Sequence, residues 1–202
     1  MHRSPDTAAV VLAAGGSRRL GVPKQLLCWH GSSLVRRAVG AALGSGCRPV
    51  YVVVGSQAQE VVAELSDTRA VVVENSAWQQ GLAGSIAAGV RAATADAEPA
   101  ALLLMLVDQP HVSVDVLARL RSAFDGGIAA ARYAGTLGVP AVFGRQYFRA
   151  LLRLQGDRGA RSLIESEVKS VRSIDCEEAA VDIDTPQDWS AFEALPSAAD
   201  PE

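Results

Sequence analysis

The sequence predicts an α/β fold built on a doubly wound, mostly parallel sheet, and two observations carry that expectation. Residues 8–12 (AAVVL), Val50–Val54 (VYVVV), Ala70–Glu74 (AVVVE) and residues 101–107 (ALLLMLV) are short apolar runs without polar alternation. That pattern belongs to strands buried on both faces, as in a parallel sheet sandwiched by helices. Between the runs, residues 33–43 and 57–65 have helix length and carry apolar side chains at i, i+3 and i+4. Strands and helices that alternate in this way wind into right-handed crossovers.

The remaining elements follow in order. After the third run, Gly81-Leu82-Ala83-Gly84-Ser85 leads into the apolar helical stretch 86–93, a glycine-rich helix entry with Ser85 as its cap. Residues 113–124 repeat the helical period, with Ser113 suited to the N-cap. The second half is less regular. Ile128–Tyr133 and residues 139–143 read as short strands around Ala134-Gly135-Thr136-Leu137-Gly138, a hairpin candidate. Residues 145–154, 160–168 and 186–195 read as helices, the last with Pro186 in its first turn and Asp188 favouring its N-terminus. No repeat or linker interrupts the pattern. One domain is expected over residues 1–195, with a flexible tail at 196–202.

Composition narrows the function classes. The chain has 202 residues, 49 % of them hydrophobic and 20 % charged, which suits one soluble domain with a sizeable core. A net charge of −3 argues against a general nucleic-acid binder, which needs a basic face. The first seven residues, MHRSPDT, have no apolar signal-peptide core, and the longest apolar run falls short of the ~20 residues of a membrane span. Three cysteines (Cys28, Cys47, Cys176) without CxxC spacing indicate neither a disulfide framework nor a zinc knuckle. A reducing cytoplasm is the expected home.

The chemistry-bearing residues fall at strand exits, where ligands bind in open α/β sheets. The first strand runs into Leu12-Ala13-Ala14-Gly15-Gly16-Ser17-Arg18-Arg19-Leu20-Gly21-Val22-Pro23-Lys24. Consecutive small residues let backbone N–H groups turn toward a phosphate, Ser17 adds a hydroxyl, and Arg18, Arg19 and Lys24 add charge for a triphosphate. The spelling excludes GxGxxG, because Gly15 and Gly16 are adjacent, and it excludes a P-loop, because Gly21 is followed by Val22-Pro23-Lys24. The fourth run ends in Asp108-Gln109-Pro110, which delivers a carboxylate to the same sheet edge. Magnesium takes one or two carboxylates plus phosphates and water, and Asp108 is placed to supply one of them. Asp182 and Asp184 alternate on an extended segment and would point the same way, so either is a candidate second ligand; a capping or surface role is the competing reading.

The stretch from Val11 to Lys24 resembles the LAAGxSxRxGxPK signature of the MobA-like NTP transferases, and within that family it is most similar to molybdenum-cofactor cytidylyltransferases. Asn75-Ser76-Ala77-Trp78-Gln79-Gln80-Gly81 with Ser85, Asp108-Gln109-Pro110, Gly138-Val139-Pro140, Gly156-Asp157-Arg158-Gly159-Ala160-Arg161 and the 182–188 stretch continue the likeness in the family's order. Each match is weak alone; together they are strong. The resemblance implies a Rossmann-like three-layer sandwich of the nucleotide-diphospho-sugar transferase type and transfer of CMP from CTP to the phosphate of molybdopterin, with pyrophosphate released. It implies nucleotide contacts from Leu12, Ala13, Ala14, Gly15, Gly16, Ser17, Lys24, Gly81 and Ser85. Arg19 and Lys24 would neutralise the triphosphate, Asp108 would hold Mg²⁺ with Asp182 or Asp184, and Gly138 and Pro140 would face the acceptor. A molybdoenzyme receiving the cofactor is an implied partner.

Departures bear on the acceptor. Leu20 stands where methionine is usual, Ser76 where proline is usual, and Val139 where histidine is common. Within the class, a transferase using GTP or a sugar phosphate is the alternative. From another class comes a nicotine-blue-reductase-like NAD(P)H oxidoreductase. Against it, GxGxxG is missing and Val54 is followed by Gly55-Ser56 rather than by a carboxylate. A non-catalytic accessory protein would have no use for Arg19, Lys24 and Asp108 together.

Overall fold

The computed structural model describes residues 6–195, so the tail expected at 196–202 lies outside the described residues. Strand β1 (Thr7–Ala13) is buried along its whole length and starts the sheet. A small hairpin, β2 (Cys28–Trp29) with β3 (Ser32–Ser33), precedes helix α1 (Leu34–Gly44), whose first turn is capped by the Ser33 hydroxyl. Then come β4 (Val50–Val54), α2 (Ala58–Glu64), β5 (Ala70–Glu74), α3 (Leu82–Asp96), β6 (Ala101–Leu106) and α4 (Val114–Ala123). The second half adds β7 (Ile128–Tyr133), β8 (Thr136–Gly144), α5 (Phe148–Leu151), α6 (Arg161–Ser166), β9 (Val171–Asp175) and α7 (Pro186–Glu193).

Seven strands form one sheet in the order β5-β4-β1-β6-β8-β7-β9, and β8 runs antiparallel to both of its neighbours. The expected mostly parallel α/β sheet is therefore present. Along β1, Ala9, Val11 and Ala13 face one core while Ala8, Val10 and Leu12 face the other. Helices α1, α2, α4 and α7 cover the first face through residues such as Val35, Val61, Leu117 and Phe192. Helices α3, α5 and α6 cover the second through Ile86, Phe148 and Ile164. The β7–β8 turn places Ala134 and Gly135 at φ 46° and 72°, the double left-handed geometry that matches the twist of a two-residue hairpin. No helix among the described residues is long and apolar enough to cross a membrane.

Four expectations need correction. Strand β5 is not buried on both faces: it is the edge of the sheet, and Val71 and Val72 stand 41 % and 38 % exposed. Ser85 is not a cap; α3 begins at Leu82, its cap position is Gly81, and Ser85 lies within the helix. The helix expected at 145–154 shrinks to a 3-10 turn and the four residues of α5. Strand β9 and the β2–β3 hairpin were not expected at all, because neither Val-Arg-Ser-Ile-Asp nor Cys-Trp carries a hydrophobic pattern that periodicity can detect.

Helix α3 lies close against β1 and β4 because Gly89 has no side chain there. A Cβ at Gly89 would collide with Val10 and come within 3.1 Å of Val53, both in buried strands. Gly89→Ala should therefore destabilise the protein by about 1–3 kcal/mol, although alanine is the better helix former. Urea unfolding of the two proteins measures this, and an unchanged or higher midpoint would refute it.

Candidate active site

The loop leaving β1 is held from beneath by a buried amide. Gln25, fully buried, donates from Nε2 to the carbonyls of Ala13 and Gly15, at 2.7 Å each. A buried amide has to find partners, and here they are the turn's own carbonyls, which leaves the opposite side of the loop to the cleft. The Ser17 hydroxyl accepts from the Lys24 backbone N–H at 3.0 Å and closes the loop on itself. The Ser56 N–H donates to Ala14 O at 3.1 Å and ties the turn to the exit of β4. Trp78 packs on Gly16 and Gly55; a Cβ on either glycine would sit 2.7 Å from its atoms.

Charge gathers where β6 ends. The Lys24 ammonium donates to Asp108 Oδ2 at 2.8 Å and to Asp184 Oδ1 at 2.7 Å, and Arg19 reaches the other Asp184 oxygen at 2.6 Å. The C-terminal segment is brought here by the Ile183 N–H, which donates to Asp108 O at 3.0 Å. It then turns into α7 through a capping box between Thr185 and Asp188. Burial works against the Lys24 charge, but Asp108 and Asp184 outweigh it and raise its pKa. At Asp184 burial is likewise outweighed, by Lys24 and Arg19, and the carboxyl is held below its usual range. Asp182 has no such cation. Desolvation, followed by the like charges of Asp108 and Asp184, pushes it up to about 6, although part of its side chain stays in water.

Above these groups lies a cleft of about 340 Å³, within the range of small-ligand sites. Gly15, Gly16, Lys24 and Asp108 form one wall, and Trp78, Gly81, Leu82 and Ser85 form the other. The second wall is the N-terminus of α3, which has no side-chain cap and so presents backbone donors to an anion. Gly81 adopts φ 113°, and a Cβ there would run into the Gly156 carbonyl. That close approach lets Ala83 N–H donate to Gly156 O at 3.0 Å and brings Asp157 to the rim.

Of the residues singled out in the sequence, Leu12, Ala14, Gly15, Gly16, Lys24, Gly81, Ser85 and Asp108 line this cleft. Others are placed differently. Ala13 lies under the loop with its carbonyl taken by Gln25, and the Ser17 hydroxyl is taken by Lys24 N–H. Arg19 turns to Asp184, while its neighbour Arg18 lines the cleft. Gly138 and Pro140 are buried in β8 and do not reach the cleft wall. Above Gly138, the Tyr133 hydroxyl donates to Val139 O at 3.0 Å, and the buried Gln109 amide donates to Val139 O and Ala179 O at 3.1 and 2.9 Å. Among the described residues no group of three His, Cys, Asp or Glu forms a cage for a metal ion. Sequence reading missed the positioning roles of Gln25 and Gln109, whose bonds run to carbonyls that only the fold brings near.

Residues 9–172 match the model of the MobA-like NTP transferase domain. A nicotine blue oxidoreductase of Paenarthrobacter nicotinovorans is 37 % identical over 90 % of this chain and 93 % of its own. The purine catabolism protein PucB of Bacillus subtilis is 29 % identical over 93 % and 96 %. The molybdenum cofactor cytidylyltransferase of Escherichia coli is 25 % identical over 89 % and 92 %. Among solved structures, a nucleotidyl transferase from Methanothermobacter superposes with a TM-score of 0.81 at 26 % identity, covering 93 % of this chain and 95 % of that one. Rv0371c of Mycobacterium tuberculosis H37Rv, in complex with manganese, superposes with a TM-score of 0.75 at 30 % identity, covering 96 % and 100 %. With the domain model spanning most of its length, this chain belongs to the MobA-like NTP transferase family.

Proposed function

We propose that the protein is a Mg²⁺-dependent nucleotidyltransferase that binds CTP in the 340 Å³ cleft and passes CMP to a phosphorylated acceptor, molybdopterin being favoured. One observation carries the reading. Asp108 Oδ1 is buried without a hydrogen-bond partner, beside an ammonium that already bridges Asp108 and Asp184. An orphaned carboxylate oxygen next to a cationic bridge suits a site that exchanges one cation for another. Asp108, with Asp182 or Asp184, would hold the magnesium, and phosphate and water would complete its shell. When bound, the ion would supply Lewis acidity at the α-phosphate and counter-charge for the leaving pyrophosphate.

The chain's own groups do the rest by position and charge. The Gly15–Gly16 backbone and the uncapped start of α3 receive the phosphates, and Arg18, Arg19 and Lys24 offset their charge. An acceptor phosphate oxygen attacks the α-phosphorus in line; one P–O bond forms as the bond to the β-phosphate oxygen breaks. That oxygen is already ionised, so no general base is required. Gly138 and Pro140 shape the acceptor side through the course of β8, since both are buried. The identity to the nicotine blue oxidoreductase supports a second reading, an NAD(P)H-dependent reductase. The Lys24–Asp108–Asp184 group speaks against it, since hydride transfer needs no such charge exchange.

In a thermal-shift panel with Mg²⁺, CTP should stabilise the protein more than GTP, ATP or NADPH, by about 2.7 kcal/mol at a hundredfold excess over its dissociation constant. A larger shift with GTP moves the reading to guanylyl transfer, and a shift with NADPH alone moves it to the reductase. Asp108→Asn should lower Mg²⁺-dependent turnover at least ~100-fold, or about 2.7 kcal/mol of transition-state stabilisation, while the protein stays folded. Near-normal turnover would refute the assignment.

Asp182 supplies a pH test. Its pKa is about 6 when folded and lies above the ordinary aspartate value, so folding takes up a proton between those two pH values. The stability that this proton contributes is complete below the unfolded pKa and is lost as pH rises through about 6. Asp182→Asn cannot suffer that loss. Without divalent metal, its melting temperature should match the wild type at about pH 4 and exceed it at about pH 7.5. A constant difference across that range would show that Asp182 is not crowded by the other two carboxylates.

A further inference from the structure

A second pocket, of about 650 Å³, opens on the face of the sheet covered by α1 and α4, and it shares no lining residue with the cleft. Trp29, α1 and the 110–114 segment enclose it. Its chemistry centres on Arg37, half-buried, with its guanidinium carbon 4.4 Å from the centre of the Trp29 ring. Among the described residues Arg37 makes no hydrogen bond or ion pair, and its Nε is buried without a partner. The adjacent Arg36 is different: Asp67 takes it with both carboxylate oxygens, at 2.7 and 2.9 Å. Trp29 is 7 % exposed, and its indole N–H is a second buried donor without an acceptor.

The other walls fit an anion with an apolar part. Ala41, Val112 and Val114 are apolar, and α4 starts at the pocket with its positive dipole end, capped by Ser113. His111 stands at the edge, packed edge-on against Phe192 at 5.0 Å. Burial pulls the Arg37 pKa below the usual arginine value, the sign of a cation that lacks its counter-ion. A guanidinium held on an aromatic platform offers a planar fork to a carboxylate or phosphate, and leaving it desolvated and unpaired costs stability. We propose that this pocket is a second binding site, for a small organic anion whose carboxylate or phosphate pairs with Arg37 and whose apolar body lies on Ala41, Val112 and Val114. The proposal stands whatever reaction the cleft performs.

Benzoate and phenyl phosphate separate the two anion types, and ¹H–¹⁵N spectra of the intact protein follow the Trp29 indole resonance as each is added. At least one probe should saturate that resonance with a dissociation constant of about 1 mM or tighter, and Arg37→Met should weaken it at least tenfold. Gly40 tests the cavity without touching the cation. It lines the pocket, and a Cβ there meets nothing within 4 Å. Gly40→Leu should fill the space and weaken binding at least tenfold, with an unfolding midpoint equal to or above the wild type because leucine is the better helix former. Binding by either probe with these sensitivities supports the site. No change at Trp29 at about fifty times that concentration, or a change that both variants leave intact, overturns it.

Discussion

A single ammonium organises the cleft. Lys24 arrives on the loop after β1, Asp108 at the end of β6, and Asp184 on the segment before α7, so three distant parts of the chain meet at one charge. Two carboxylates facing each other with no cation between them would repel. A partly buried pair that loses one partner forfeits several kcal/mol, about 3–5 when fully buried. Until a ligand arrives, the protein therefore supplies its own counter-ion at the place where phosphate charge is expected. The same bond that steadies the empty centre has to be given up when Lys24 turns to a triphosphate. This makes ligand entry an exchange rather than a simple addition.

Around that charge, uncharged hydrogen bonds set the geometry. Gln25 shapes the glycine loop from below, and Gln109 joins the β6 exit to β8 and to the residues before the acidic segment. Ile183 N–H fixes the acidic segment itself against Asp108 O. Each is a side chain or backbone group buried with few alternatives, and such groups hold one arrangement because an unpaired state is costly. The sheet order puts β1 beside β6, so the phosphate loop and the acidic strand exit start as neighbours and need little further adjustment.

Much of this was legible in the residues. The unalternating runs marked four parallel strands, two of them with the observed ends, because burial on both faces suppresses polar residues. The same rule misjudged β5, since its valines look identical whether a helix covers them or water does. Lys24 and Asp108 were found as charges at strand exits, but their direct contact was not, for spacing along the chain says nothing of contact across a cleft. Arg18 and Arg19 were interchangeable in the sequence until the fold sent one to the cleft and the other to Asp184. The buried glutamines were missed for a related reason: their partners are carbonyls, which every residue has.

Trp78 and the two glycines beneath it form one unit of variation. Its ring occupies the space a methyl group would need at Gly16 or Gly55, so neither glycine can gain a side chain while the indole stays where it is. Conversely, a smaller residue at position 78 would leave a gap over two strand exits at once. The width of this part of the cleft is thus inherited as a triple. A descendant that widens or narrows it by single steps has to pass through an intermediate with either a collision or a void.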